Sequence, residues 1–99
     1  MDKQVIWSIK ARQELFDILE FWNNHNQSNT YSSHLYQKIQ INIKYISENN
    51  FIGKSTNISD VRVIVISNYL LFYQVSEKYI EILSLFDGRR NPEDITIKY

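Results

Sequence analysis

The sequence predicts an α+β domain. Two N-terminal helices form an antiparallel hairpin and pack on a small, mainly antiparallel twisted sheet, in the order β-α-α-β-β-β. Two patterns carry this expectation. Apolar residues recur every three or four positions from Ala11 to Trp22 and again from Leu35 to Ile46, the period of a helix face. From Val61 onward, β-branched and aromatic runs are broken by two short polar turns, the pattern of consecutive strands. Size supplies the third observation: residues 1–99 make one domain, with no room for a second core.

Val5, Ile6 and Trp7 read as a short first strand, and Ser8 as the N-cap of the helix that follows. Ala11, Leu15, Ile18, Leu19 and Trp22 form one stripe on that helix, with Arg12, Glu14, Asp17 and Glu20 mostly off it. The polar run from Asn23 to Gln27 ends it, and Ser28 is expected to cap the second helix. Leu35, Ile39, Ile43 and Ile46 are that helix's apolar line, which stops near Glu48, Asn49 and Asn50. A loop from Phe51 to Asp60 leads to three strands, Val61 to Ile66, Leu70 to Val75 and Tyr79 to Phe86. Ser67 and Asn68 form a tight hairpin turn, with Asn68 expected to take positive φ. Glu77 and Lys78 turn the chain again, and Pro92 ends regular structure.

The strands do not alternate cleanly between apolar and polar. Val61, Val63 and Val65 point one way, and Arg62, Ile64 and Ile66 the other. Two helices cover one face of such a sheet. The second face must be closed by sheet curvature, by the C-terminal tail or by a partner, and an open apolar groove there is a protein-binding feature.

Composition narrows the function classes. Two Gly and one Pro argue against disorder. The absence of Cys and of an apolar leader in M-D-K-Q-V-I-W-S points to a cytoplasmic protein. No run reaches the roughly 18 apolar residues of a membrane span. Eleven basic and eleven acidic residues cancel, which excludes a broad electrostatic footprint for nucleic acid, so any such contact must rest on a local cluster. His25 and His34, without Cys or a carboxylate pair at ligand spacing, read as surface histidines, so no metal is expected. No G-x-S-x-G, phosphate loop or G-x-G-x-x-G occurs, and no cofactor is implied. Glu14, Asp17 and Glu20 read as a solvated helix face.

The basic residues around the strands remain: Lys54, Arg62, Arg89 and Arg90. Arginine stays protonated at neutral pH, so it serves to hold a phosphate or a developing negative charge. The structural alternative pairs Arg62 with Asp60 or Asp87 and leaves Arg89 and Arg90 as solubilising charges at a strand end.

Taken in order, W-S-I-K-A at 7–11, F-W at 21–22, N-F-I-G-K-S-T at 50–56, V-R-V-I-V at 61–65, Y-L-L-F-Y-Q-V at 69–75 and I-L-S-L-F-D-G-R-R-N-P at 82–92 are distinctive. The chain resembles toxins of the RelE/ParE superfamily of bacterial type II toxin–antitoxin systems, also called plasmid stabilisation proteins. That resemblance implies a cognate antitoxin whose C-terminal segment wraps the toxin in a hetero-oligomer. The activity it implies first is cleavage of messenger RNA on the ribosome; the alternative is inhibition of DNA gyrase without nuclease activity. A third possibility is a degenerate toxin that only binds its antitoxin. As an mRNA interferase, Arg62 and Arg90 would hold the scissile phosphate, Lys54 and Arg89 would contact RNA, and acid–base chemistry would fall to Asp87 or Tyr99. Such cleavage uses the RNA 2′-hydroxyl as nucleophile and needs no metal. The chain departs from that branch at two positions: Leu70 stands where nuclease members often carry Arg, and Asp87 where many relatives carry His.

Overall fold

The computed structural model describes residues 2–90. The elements are β1 (Gln4–Trp7), α1 (Ile9–Asn26), α2 (Thr30–Glu48), β2 (Lys54–Ser55), β3 (Val61–Ile66), β4 (Tyr69–Val75) and β5 (Tyr79–Asp87). They form a five-stranded sheet in the order β1-β5-β4-β3-β2. β3, β4 and β5 are a continuous antiparallel meander, and β1 adds in parallel at the outer side of β5. The helix hairpin carries the chain from β1 to β2 at the far edge of the sheet, and the meander returns it so that β5 lies beside β1.

Local chemistry sets the ends of the elements. Ser8 Oγ accepts from the Ala11 N–H at 3.0 Å, the expected cap of α1. Gln27 closes α1 in a left-handed conformation with φ 50°, its N–H donating to the Asn23 carbonyl. The expected cap of α2 differs. Asn29, not Ser28, is the capping position, and Ser28 Oγ instead accepts from the Thr30 N–H. In the β3–β4 turn, Ser67 takes positive φ, 56°, and Asn68 does not. β2 lies inside the stretch read from sequence as loop. Its two residues pair with Arg62 and Val63 through backbone alone, so no side-chain pattern marks it.

The helix face of the sheet holds the main core. Ala11, Leu35, Ile39 and Ile46 from the helices meet Ile66, Leu71, Tyr73, Ile80, Ile82 and Leu85. The second face carries a separate buried cluster of Val61, Phe72, Leu83 and Phe86, with Ile58, Val63 and Leu70 packed against it. A register shift between Phe72 and Tyr73 leaves Leu83 as an extra residue on β5. A bulge of this kind bends its strand and sharpens the twist. The apolar excess is therefore mostly buried rather than laid out as a groove. On this face Val65, Tyr79 and Ile6 are left exposed, Val65 the most at 65%.

One helix carboxylate leaves the solvated face assigned to it. β1 stops at Trp7, opposite Ile82, so the outer edge of β5 runs on without a strand. Glu14 fills the gap, its Oε1 accepting from the Leu85 N–H at 3.1 Å and from Ser84 Oγ at 3.0 Å, while Lys10 donates to Oε2 at 3.1 Å. A buried N–H without a partner costs about 1–3 kcal/mol, which is why a charged side chain sits here. Asp17 and Glu20 remain exposed, as expected.

Candidate functional site

The basic residues divide between two ends of the sheet. Arg62 pairs with Tyr73, which pairs with Ile82, whereas Asp87 pairs with Tyr69, which pairs with Ile66. Arg62 thus lies four residue steps along β3 from the level of Asp87, about 13 Å, with two strand spacings of about 4.8 Å added across the sheet. Their surroundings differ as well. Arg62 shares the helix face with Ile64 and Ile66, while Arg90 lies beyond the end of β5, its guanidinium 5.3 Å from the Phe86 ring centre and bordered by Glu14 and Asp17 of α1. The two residues expected to hold one phosphate together are apart.

At the first end, Arg62 Nη1 donates to the Gly53 carbonyl at 2.7 Å and to the Phe51 carbonyl at 3.2 Å. Its guanidinium lies 4.9 Å from the Phe51 ring centre. The structural alternative, an ion pair with Asp60 or Asp87, is not formed. Tyr73, fully buried, works on the same loop from inside. Its hydroxyl donates to the Asn50 carbonyl at 2.9 Å and accepts from the Gly53 N–H at 2.9 Å. Burial is the main cause that raises the Tyr73 pKa above the ordinary tyrosine value, against the lowering effect of the Gly53 hydrogen bond. Gly53 is required by close approach: a Cβ there would lie 2.8 Å from both Tyr73 Oη and the Val63 carbonyl. Lys54 follows in β2, exposed and opposite Val63.

At the second end, Asp87 is gripped by Arg89. Nε donates to Oδ1 at 3.0 Å, Nη2 to Oδ2 at 2.9 Å, and the Arg89 N–H to Oδ1 at 3.0 Å. The Arg89 side-chain bonds hold the Asp87 carboxyl below its usual range, so it is ionised and carries no proton to donate near neutrality. Arg89 also lies over Trp22, 5.8 Å from the ring centre, and Trp22 Nε1 donates to Tyr69 Oη at 2.7 Å. Burial raises the Tyr69 pKa. Arg90 borders a shallow depression of about 130 Å³ whose other walls include the carboxylates of Glu14, Asp17 and Asp87. Glu14 is paired with Lys10 and Asp87 with Arg89, which leaves Asp17 beside Arg90, so the depression offers a nucleic-acid phosphate no net positive charge. Leu70, packed against the second-face cluster, adds no charge. Tyr99 lies outside the described residues. Among the described residues, no group of three or more His, Cys, Asp or Glu is placed to hold a metal ion. No helix among them is long and apolar enough to cross a membrane.

Sequence reasoning missed the loop from Asn50 to Gly53 as an organised feature. Tyr73 read only as a strand aromatic, and nothing in the spacing showed that its hydroxyl and Arg62 converge on the same four residues. The one available signal was Gly53, a rare glycine in a chain with two.

Comparison with known proteins places this fold. In structure the chain is similar to the chromosomal ParDE TA system from P. aeruginosa, with a TM-score of 0.71 and 19% identity over 86% of this chain and 95% of that one. It is also similar to the YoeB dimer from Staphylococcus aureus, with a TM-score of 0.61 and 17% identity over 87% of this chain and 97% of that one. At these identities the likeness is one of fold. No curated protein matches the sequence. Residues 5–92, however, match the family described as the ParE toxin of type II toxin-antitoxin system, parDE. That match runs through both helices and all five strands, and the chain belongs to the ParE toxin family of type II toxin–antitoxin systems.

Proposed function

We propose that this toxin arrests growth by binding DNA gyrase rather than by cutting messenger RNA, and that a cognate antitoxin neutralises it. The observation that carries the reading is the dispersal of the cationic residues. A metal-independent ribonuclease needs several cations around one phosphate and a group of suitable pKa within reach. Here Arg62 clamps backbone carbonyls at one end of the sheet, and Arg89 is held by Asp87 at the other. Arg90 stands beside Glu14, Asp17 and Asp87, and Leu70 packs against the second-face cluster without adding a charge. Zero net charge agrees, since a chain that must enter a ribosome gains from a basic excess. Membership of the ParE family supports the same branch.

The test adds purified toxin, freed of antitoxin, to gyrase with relaxed plasmid and, separately, to translating ribosomes. Supercoiling is expected to stop while the message stays whole. A cleaved message beside active gyrase would overturn the reading.

A further inference from the structure

The loop that Arg62 and Tyr73 fix presents two large apolar side chains to solvent, Phe51 at 67% exposure and Ile52 at 49%. Exposed apolar residues on a loose loop are unremarkable. This loop is not loose. Tyr73 ties Asn50 and Gly53, Arg62 ties Phe51 and Gly53, the Ile52 N–H donates to the Asn49 carbonyl, and Asn50 Nδ2 donates back to the Ile46 carbonyl at 2.9 Å. Gly53 leaves no space for a Cβ. Five groups thus determine the backbone of a segment whose two large apolar side chains stay exposed, Phe51 with the Arg62 guanidinium 4.9 Å from its ring centre. Charge brackets it: Arg62 on one side of the edge strand and Lys54 on the other, neither with a carboxylate partner among the described residues. In sequence, Glu48 at the end of α2 lies three residues before Phe51, and Asp60 two before Arg62.

We infer that Phe51 and Ile52 are a preorganised anchor for a folded protein partner, inserted into an apolar pocket rimmed by carboxylates. Phe51 and Ile52, with Asn49 and Asn50, line an open depression of about 510 Å³, so the pair offers a partner a fixed apolar surface of defined shape. Rigidity lowers the entropy lost on docking, and the two free cations complement an acidic rim. The occupant is the toxin's target, and antitoxin bound here instead is an outcome the experiment decides. This rests on the reading of the chain as a toxin that acts by binding.

The experiment pairs Phe51→Ser and Ile52→Ser, singly and together, with three measurements on toxin produced alongside its antitoxin. Both positions are exposed, so thermal unfolding should be unchanged. Growth arrest on release of the toxin is expected to fall at least tenfold in potency, with antitoxin affinity within threefold of the parent. Lys54→Glu should weaken arrest further and make it less sensitive to an acidic rim, read as a slower, less salt-dependent association with gyrase. Undiminished arrest overturns the inference. So does a tenfold loss of antitoxin binding, which would assign the loop to the antitoxin, or a loss confined to message cleavage, which would make Phe51 a base-stacking platform. Gyrase that stays active with the parent toxin sinks the preceding reading alone, because arrest still decides the role of the loop. A parent chain that causes no arrest sinks both.

Discussion

Arginine is used in opposite ways at the two ends of the sheet. Near β2, Arg62 donates to neutral backbone carbonyls, so its hydrogen bonds are satisfied and its charge is not. Beyond β5, Arg89 meets Asp87 in a two-point ion pair, so its charge is cancelled where it stands. The first arrangement shapes a loop and leaves a cation facing outward. The second closes a strand end and leaves little net field. Residue type alone therefore does not mark a catalytic centre; what each guanidinium binds decides what it has left to offer.

The strongest way to break this contrast is Tyr73→Phe. It leaves the Gly53 N–H and the Asn50 carbonyl without their buried partner, and the expected loss is about 2–4 kcal/mol by denaturant unfolding. The same hydroxyl gives an alkaline signature. Its pKa is raised in the folded state, so its contribution is fully present below about pH 10 and disappears as pH climbs through the raised value. Tyr73→Phe should flatten that alkaline fall. Gly53→Ala comes next, at about 1–3 kcal/mol, because the new methyl meets Tyr73 Oη and the Val63 carbonyl. Combined with Tyr73→Phe it should cost less than the sum, since one of the two clashes is then gone.

Arg62→Gln should cost about 1 kcal/mol in stability, by loss of charged donors to two loop carbonyls. A far larger fall in toxicity with the loop intact would mean that Arg62 has a chemical role after all. Asp87→Asn is expected to have the smallest effect, because exposed ion pairs contribute little and salt screens them. Its pH dependence runs the other way from Tyr73. The folded pKa is depressed, so the contribution is present above the ordinary carboxylate value of about 4 and is lost as pH falls through the depressed value. Acid unfolding of Asp87→Asn and of the parent, compared at low and high salt, reads this directly.

The same contrast explains what the sequence showed and what it hid. The helix stripes, the Ser8 cap and the three meander strands were legible because periodicity and capping act within a few residues. β2 was not, because two polar residues pair through backbone alone. Glu14 read as one more solvated charge, since its role depends on where β1 ends, 70 residues from its partner Ser84. The residues of the basic set were legible, but their grouping was not. Arg62 lies on β3 well away from the level of Asp87, after which Arg90 follows, and only the strand register reveals that.

The most direct test of the central claim is to map message 5′ ends in cells arrested by this toxin while plasmid supercoiling is followed in the same cultures. The account predicts that supercoiling is lost with no new message ends. New ends within coding sequence, appearing while supercoiling persists, would contradict it.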